Sequence, residues 1–150
     1  MLTLGEAQWK AGEYLEARET LLRAVEVAQS LESTEGVVRA ALQLAHITHL
    51  VGLPAPDAVR LLEAALPRLG EEDSPLKARA LGGLARYLGV MGERENLVLY
   101  ASLAVAMTRR LDDLELVSYN LLGMLYTLMG RSTPSSGLRS QQKCSTLPRL

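Results

Sequence analysis

Small and apolar residues recur along this chain at helical spacing, and the recurring pattern itself repeats. Glycines stand at positions 12, 52, 92 and 130, at intervals of 40, 40 and 38 residues. A leucine followed by a small residue precedes each glycine at the same distance, and these pairs are Leu4-Gly5, Leu44-Ala45, Leu84-Ala85 and Leu122-Gly123. Internal repetition at this period is typical of stacked helical hairpins.

The segments that follow the first three glycines share a second pattern. Apolar or small residues come at spacings of 4, 3 and 4, which keeps them on one face of a helix. The three sets are Ala17, Leu21, Ala24, Ala28; Ala58, Leu62, Ala65, Leu69; and Leu97, Ala101, Ala104, Thr108. Alanine on such a face lets neighbouring helices approach closely, so these faces are expected to be buried.

Helix boundaries follow from the same patterns and from capping signals. Asp73-Ser74-Pro75 places a capping hydroxyl before a proline, which predicts a helix start. Asp112-Asp113-Leu114-Glu115 predicts a second start, with a capping aspartate and Glu115 three positions on. Pro54 and Pro56 flank a turn. The predicted helices cover residues 2–11, 13–31, 34–51, 57–69, 75–91, 94–111 and 113–129.

Composition supports an all-α fold. Apolar residues make up 48 % of the 150 positions, aromatic residues only 4 %, and phenylalanine is absent. Leucine and alanine, which dominate, lose little free energy on entering a helix. The single cysteine excludes an internal disulfide. Residues 1–13 lack the basic and apolar regions of a secretory signal, and no apolar stretch in residues 1–150 is long enough for a membrane span. We therefore expect a cytoplasmic protein.

The first unit resembles a tetratricopeptide repeat. Its order of small and large positions is Leu4-Gly5-x2-Gln8-x3-Gly12-x-Tyr14-x2-Ala17-x3-Leu21-x2-Ala24. It departs from that family at Gln8, where an aromatic residue is usual, and at Gln29, where proline is usual. The resemblance implies a right-handed α-solenoid of antiparallel helical hairpins with about seven helices. Its units would be residues 1–33, 34–72, 73–112 and an incomplete 113–130.

The long period resembles the helical repeats of bacterial transcriptional activators of the maltose-activator (MalT-like) type. The segment 68–86, RLGEEDSPLKARALGGLAR, and the segment 108–113, TRRLDD, carry this likeness. Such regulators have an ATPase module before the repeats and a DNA-binding domain after them. Residues 1–150 contain neither a GxxxxGK[ST] phosphate loop nor an evident helix-turn-helix motif. The resemblance implies a protein- or peptide-binding scaffold from a signal-responsive transcriptional regulator.

The two ends of the chain depart from the repeat. Residues 131–150 are rich in serine, carry four basic and no acidic residues, and lack periodicity, which predicts a disordered tail. The helix at 113–129 is apolar around much of its circumference, so we expect other parts of a protein to pack against it on several sides. We expect residues 1–130 to be a piece of a longer solenoid; the alternative is a natural terminus whose tail folds back. A second functional hypothesis is self-association through the 113–129 helix.

A solenoid of this family offers a concave groove lined by the first helix of each unit. The resemblance places nine residues there: Glu6, Trp9, Lys10, Arg39, His46, His49, Arg79, Arg86 and Asn120. The three arginines would form a basic strip able to bind carboxylates, and Trp9 would be an aromatic anchor. The family's carboxylate clamp for chaperone tails is not reproduced, because Leu2 and Glu6 occupy its first-repeat positions.

Catalysis and cofactor binding have no support in the sequence. His46 and His49 lie three residues apart, but no cysteine or carboxylate on adjacent turns completes a metal site. Ser74 matches the first position of an SxxK string, yet a helix cap explains it. The net charge of −1 argues against direct nucleic-acid binding. We therefore expect neither an enzyme nor a cofactor, metal or membrane site, and a protein or peptide as the partner.

Overall fold

Alanine and leucine at helical spacing form seven α-helices in the part of the chain that the computed structural model describes, residues 1–50 and 55–129. The side chains of residues 49, 50, 122–124 and 126–129 are outside that description, as are Pro54 and the predicted tail at 131–150. The helices are α1 Leu2–Lys10, α2 Tyr14–Ser30, α3 Thr34–Leu50, α4 Pro56–Ala65, α5 Pro75–Met91, α6 Arg94–Arg110 and α7 Leu114–Met129. The described ranges contain no strand, so the all-α prediction is confirmed.

The fourth helix is shorter than predicted. The sequence pattern extended it from 57 to 69, whereas α4 ends at Ala65 and a 3-10 helix follows over Leu66–Leu69. Pro67 lies in the second segment. Proline has no N–H to donate and its ring collides with the preceding turn of an α-helix, so the chain tightens instead of continuing.

Both predicted helix starts exist, but one cap differs in detail. The Ser74 hydroxyl accepts a hydrogen bond from the Lys77 N–H at 3.2 Å, as the sequence predicted for α5. At α7 the capping carboxylate belongs to Asp113, whose Oδ1 accepts from the Leu116 N–H at 2.9 Å. Asp112 instead has a left-handed backbone with φ of 53°. Glu115 is therefore the second helical residue, and the capping box predicted from Asp112 is wrong.

The predicted apolar faces are buried. On α2, Ala17 and Leu21 have no exposed surface, and Ala24 and Ala28 are 6 % and 7 % exposed. Seven of the eight corresponding residues after the second and third glycines are also buried: Ala58, Leu62, Ala65, Leu97, Ala101, Ala104 and Thr108. The eighth, Leu69, lies in the 3-10 helix and is only partly buried. Small side chains at these contacts let the helices pack closely, and the intervening leucines fill the space between them.

Helices that follow one another in the chain pack against each other, and the odd-numbered helices form a second set of contacts. The pairs α1 with α3, α3 with α5 and α5 with α7 are in contact, so these four helices form a row. The main core lies around Leu21, Val38, Leu62 and Leu84. A smaller core joins α5, α6 and α7. No helix in the described ranges is long and apolar enough to cross a membrane.

The first and third hairpins share the same backbone design, displaced by 80 residues. Helices α2 and α6 each contain 17 residues. Gly12 and Gly92 precede them with φ of 85° and 88°, and Glu32 and Asp112 follow them with φ of 52° and 53°. The turn hydrogen bonds also correspond, from the Glu13 N–H to the Gln8 oxygen at 2.9 Å and from Glu93 to Leu88 at 3.0 Å.

Candidate functional site

A groove of about 640 Å³ runs along the row formed by the odd-numbered helices, and all four of them contribute side chains to it. Each helix supplies residues from one face, because positions three, four and seven apart point in the same direction. The lining residues are Leu2, Glu6, Trp9, Arg39, Leu42, Gln43, His46, Ile47, Pro75, Leu76, Arg79, Arg86, Glu115, Leu116 and Tyr119. Hereafter "the groove" denotes this set.

Six of the nine residues that the sequence analysis placed at the binding surface are among those lining the groove: Glu6, Trp9, Arg39, His46, Arg79 and Arg86. They come from α1, α3 and α5. The repeat pattern identified which face of each of these helices packs in the core, and therefore also which residues are turned away from it. The groove therefore gathers the predicted aromatic anchor and all three predicted arginines.

The other three predicted residues either do not line the groove or have a side chain outside the described part of the structure. Lys10 does not line the groove; its Nζ pairs with Glu6 Oε1 at 2.7 Å on the exposed side of α1. That ion pair lowers the pKa of the Glu6 carboxyl through the Lys10 hydrogen bond and charge. Asn120 is buried, 5 % exposed, and faces Gly82. The side chain of His49 lies outside the described residues.

Trp9 and His46 meet at one end of the groove. Their ring centroids are 5.4 Å apart and the ring planes are inclined at 69°, an edge-to-face arrangement. Such a contact favours a defined orientation of both rings. His46 is exposed and Trp9 half-buried, so the pair presents an apolar surface with a polar edge. Because this aromatic surface is partly exposed, a side chain of a partner protein can contact it.

The three arginines have different surroundings. Arg39 forms an ion pair with Glu35 one helical turn away, at 2.8 Å. Arg86 lies over the Tyr119 ring, with its guanidinium carbon 4.6 Å from the ring centroid. No carboxylate of the described residues forms an ion pair with Arg79 or Arg86. Two of the groove's cations therefore form no ion pair within the described part of the chain.

Arg86 also adjoins a buried tyrosine. Tyr87 is 3 % exposed, and its burial raises the pKa of its hydroxyl well above the ordinary range, while Arg86 acts in the opposite direction. The phenol is therefore neutral at physiological pH, and it offers no counter-charge to the guanidinium.

Sequence reasoning missed the groove residues that α7 contributes and the polar residue in the middle of α3. Tyr119, Glu115 and Leu116 belong to the face of α7 that turns towards α5. Gln43 lies between Arg39 and His46, four residues after the first and three before the second. Its helical spacing from these two predicted residues was the signal that would have found it.

Gln43 is an unusual member of the groove because its amide oxygen is both buried and unpaired. No donor of the described residues reaches Gln43 Oε1. Arg86 Nε is likewise buried, with no acceptor among the residues that the structure describes. Such an atom costs about 1–3 kcal/mol, and neither of the two has surface open to the groove.

The described residues contain no cluster of three or more histidine, cysteine, aspartate or glutamate side chains that would hold a metal ion. No protein-family profile, no curated protein and no solved structure matches the chain. The groove's chemistry is thus the basis for any assignment. It combines two arginines that form no ion pair with the described residues, partly exposed aromatic rings and partly exposed leucines.

Proposed function

We propose that the chain is a protein-interaction module whose groove binds a segment of a partner protein, on a tetratricopeptide-like right-handed solenoid. The observation that carries the proposal is that one depression gathers Trp9, Arg79, Arg86 and Tyr119 from three different helices. Aromatic residues and arginine are the side chains that contribute most to protein–protein binding. A partner segment extended along the row of odd-numbered helices would contact side chains from all four of them.

Selection of peptides followed by a fluorescence titration tests this function. Twelve-residue peptides displayed on phage are selected on the full chain, and those without tryptophan or tyrosine are synthesised. Trp9 is the chain's one tryptophan and lines the groove, so its emission reports binding there. We expect the selected peptides to shift this emission with saturable affinity.

A pair of tyrosine variants locates the binding site. Tyr119 lines the groove and is 38 % exposed, whereas Tyr14 on α2 is 45 % exposed and outside it. Tyr119→Ala is expected to weaken binding about tenfold, since aromatic interface residues commonly contribute 1–2 kcal/mol. Tyr14→Ala is expected to leave binding unchanged. Peptides that ignore Tyr119→Ala and leave Trp9 emission constant would exclude the groove.

We further propose that this module belongs to a bacterial signal-responsive transcriptional regulator, on the strength of the resemblance over residues 1–130 alone. In such a protein, a bound partner segment would stiffen the stacked hairpins and transmit a signal along them. Sequencing the gene with its flanks and translating every frame tests the assignment. Coding sequence for a DNA-binding domain beyond the repeats would support it, and a genomic context without one would contradict it.

The alternative function is self-association through α7. Leu121 and Leu125 lie one turn apart on this helix and are 44 % and 50 % exposed. Sedimentation equilibrium of Leu125→Lys tests this function, because a lysine in an apolar dimer interface would restore the monomer. Leu103→Lys on α6, where the leucine is 46 % exposed, is the matched control. Groove binding would survive both changes.

A further inference from the structure

We infer that the groove recognises an extended acidic peptide with two carboxylates three residues apart, which pair with Arg79 and Arg86. The inference rests on the proposed function and specifies the chemistry of the partner. It follows from two features of the groove: its net positive charge and the separation of the two arginines.

The charge balance of the groove is positive once internal ion pairs are set aside. Glu6 is held by Lys10 at 2.7 Å and Arg39 by Glu35 at 2.8 Å, so neither pair contributes net charge. Arg79 and Arg86 remain, together with Glu115 on α7. An acidic ligand therefore complements the groove, and Glu115 is the one lining residue that would oppose it.

Arg86 is positioned in advance for such a ligand. The guanidinium carbon lies over the Tyr119 ring, 4.6 Å from the ring centroid. A cation–π contact of this kind restrains the guanidinium without using its N–H groups as hydrogen-bond donors. Because the side chain is already held, binding costs less conformational entropy than it would for a free arginine.

The two arginines define a separation. They are seven residues apart on α5, which places their Cα atoms about 10.5 Å apart along the helix axis. A peptide in the extended polyproline II conformation advances about 3.1 Å per residue with three residues per turn, so side chains at positions i and i+3 share one face and are spaced by about 9 Å. A Glu-x-x-Glu segment lying along α5 therefore brings one carboxylate to each guanidinium.

The apolar lining accommodates the side chains between the two acids of an extended ligand. Leu42 and Leu76 are partly exposed in the groove and suit an apolar side chain between the two acids. The sequence pattern we infer is Glu-apolar-x-Glu.

The test uses the acetylated, amidated hexapeptide Ser-Glu-Leu-Ser-Glu-Ser and its counterpart with glutamine at both glutamate positions. Each is titrated into the full chain while Trp9 emission is recorded at low salt. We expect the acidic peptide to bind at least about tenfold more tightly than the glutamine peptide, as expected for charge-assisted hydrogen bonds. Moderate salt should weaken the acidic peptide selectively.

Charge variants of the chain connect this preference to the two arginines. Arg79→Gln and Arg86→Gln should each reduce the affinity for the acidic peptide about tenfold and leave the glutamine peptide unaffected. Glu115→Gln should strengthen acidic binding. Arg23→Gln, an exposed change on α2 outside the groove, is the control and should have no effect. If Arg86→Gln alters thermal unfolding, Arg86→Lys, which keeps the charge, should retain part of the binding.

The outcomes separate this inference from the proposed function. Equal binding of both hexapeptides, or selection of neutral or basic phage peptides that still require Tyr119, would overturn the acidic preference and leave the binding module standing. A single-stranded twelve-thymidine oligonucleotide that shifts Trp9 emission at lower concentration than the acidic peptide would also overturn it. If neither the hexapeptides nor any selected peptide affects Trp9, both the inference and the proposed function fail.

Discussion

Asn120 on α7 lies directly against Gly82 on α5, so closely that a Cβ atom added to Gly82 would be 1.9 Å from Asn120 Oδ1. In the same helix turn, a Cβ on Gly83 would be 2.4 Å from Leu42 Cδ2 on α3. The two consecutive glycines thus allow α5 to contact both neighbouring first helices.

Gly82→Ala is expected to lower the free energy of unfolding by about 1–3 kcal/mol, the usual cost of overpacking. Alanine would normally stabilise a helix interior by about 1 kcal/mol relative to glycine, so the sign of the change shows which effect dominates. Chemical denaturation monitored by circular dichroism measures it. The double variant with Asn120→Ala should recover most of the loss, and a destabilisation that persists there would contradict the contact.

Asn120→Leu is expected to raise the free energy of unfolding by about 1 kcal/mol. Asn120 is 5 % exposed, and neither of its amide atoms has a hydrogen-bond partner among the described residues. An apolar side chain of similar shape removes the desolvation cost of these atoms without opening a cavity. The same denaturation experiment applies. A loss of more than about 1 kcal/mol would indicate that the amide has a stabilising partner.

Ala17→Leu should destabilise the first hairpin by about 1–3 kcal/mol, because Ala17 has no exposed surface and a larger side chain would separate α1 from α2. Thermal unfolding measures the effect. Ala106→Leu is the matched control, since this alanine lies at an exposed position of α6, and the change should leave the midpoint unchanged. An unchanged midpoint for Ala17→Leu would count against the packing described.

The ion pair between Asp73 and Arg110 should make stability depend on pH in the acid range. The guanidinium contacts both carboxylate oxygens, at 2.5 and 2.9 Å, and this hydrogen bonding is the main reason that the pKa of Asp73 is lowered. A carboxyl with a lowered pKa contributes stability above its unfolded-state pKa and loses it as the pH falls through the folded value. The contribution is therefore complete at neutral pH.

Asp73→Asn tests this pair through denaturant midpoints measured from about pH 7 to pH 2, a range that spans ordinary carboxyl titration. The variant should be less stable than the parent near neutrality, and the two curves should converge at the acid end. Glu71→Gln, a nearby exposed carboxyl without an ion pair in the described ranges, should follow the parent throughout. A constant offset at every pH would show that the Asp73 effect is not electrostatic.

The fold was largely predictable because its helices carry strong local signals. The helical spacing of Ala17, Leu21 and Ala24 located α2. The capping serine followed by proline, Ser74-Pro75, located the start of α5. The end of α4 was missed because apolar spacing continued through Pro67, and the loss of one backbone donor outweighed it. Local periodicity thus predicted the α-helices well, except where a proline prevented the backbone from continuing one.

The groove was less predictable where it depends on how a helix is rotated about its own axis. Adjacent helical residues point about 100° apart, so a small rotation decides whether Tyr119 or Asn120 faces the groove. That rotation is set by the contact with Gly82, 38 residues earlier in the sequence. No local pattern in α7 contains this information, which explains why Asn120 was predicted at the surface and is buried.

The equivalence of α2 and α6 means that the two helices are exchangeable modules. Each has 17 residues, begins after a glycine turn and is followed, two residues beyond its end, by a non-glycine residue with positive φ. A chimera carrying residues 94–110 in place of residues 14–30 would preserve the register of both flanking turns. Different surface residues can therefore be introduced on α2 and α6 without changing the geometry of the row of odd-numbered helices or of the groove along it.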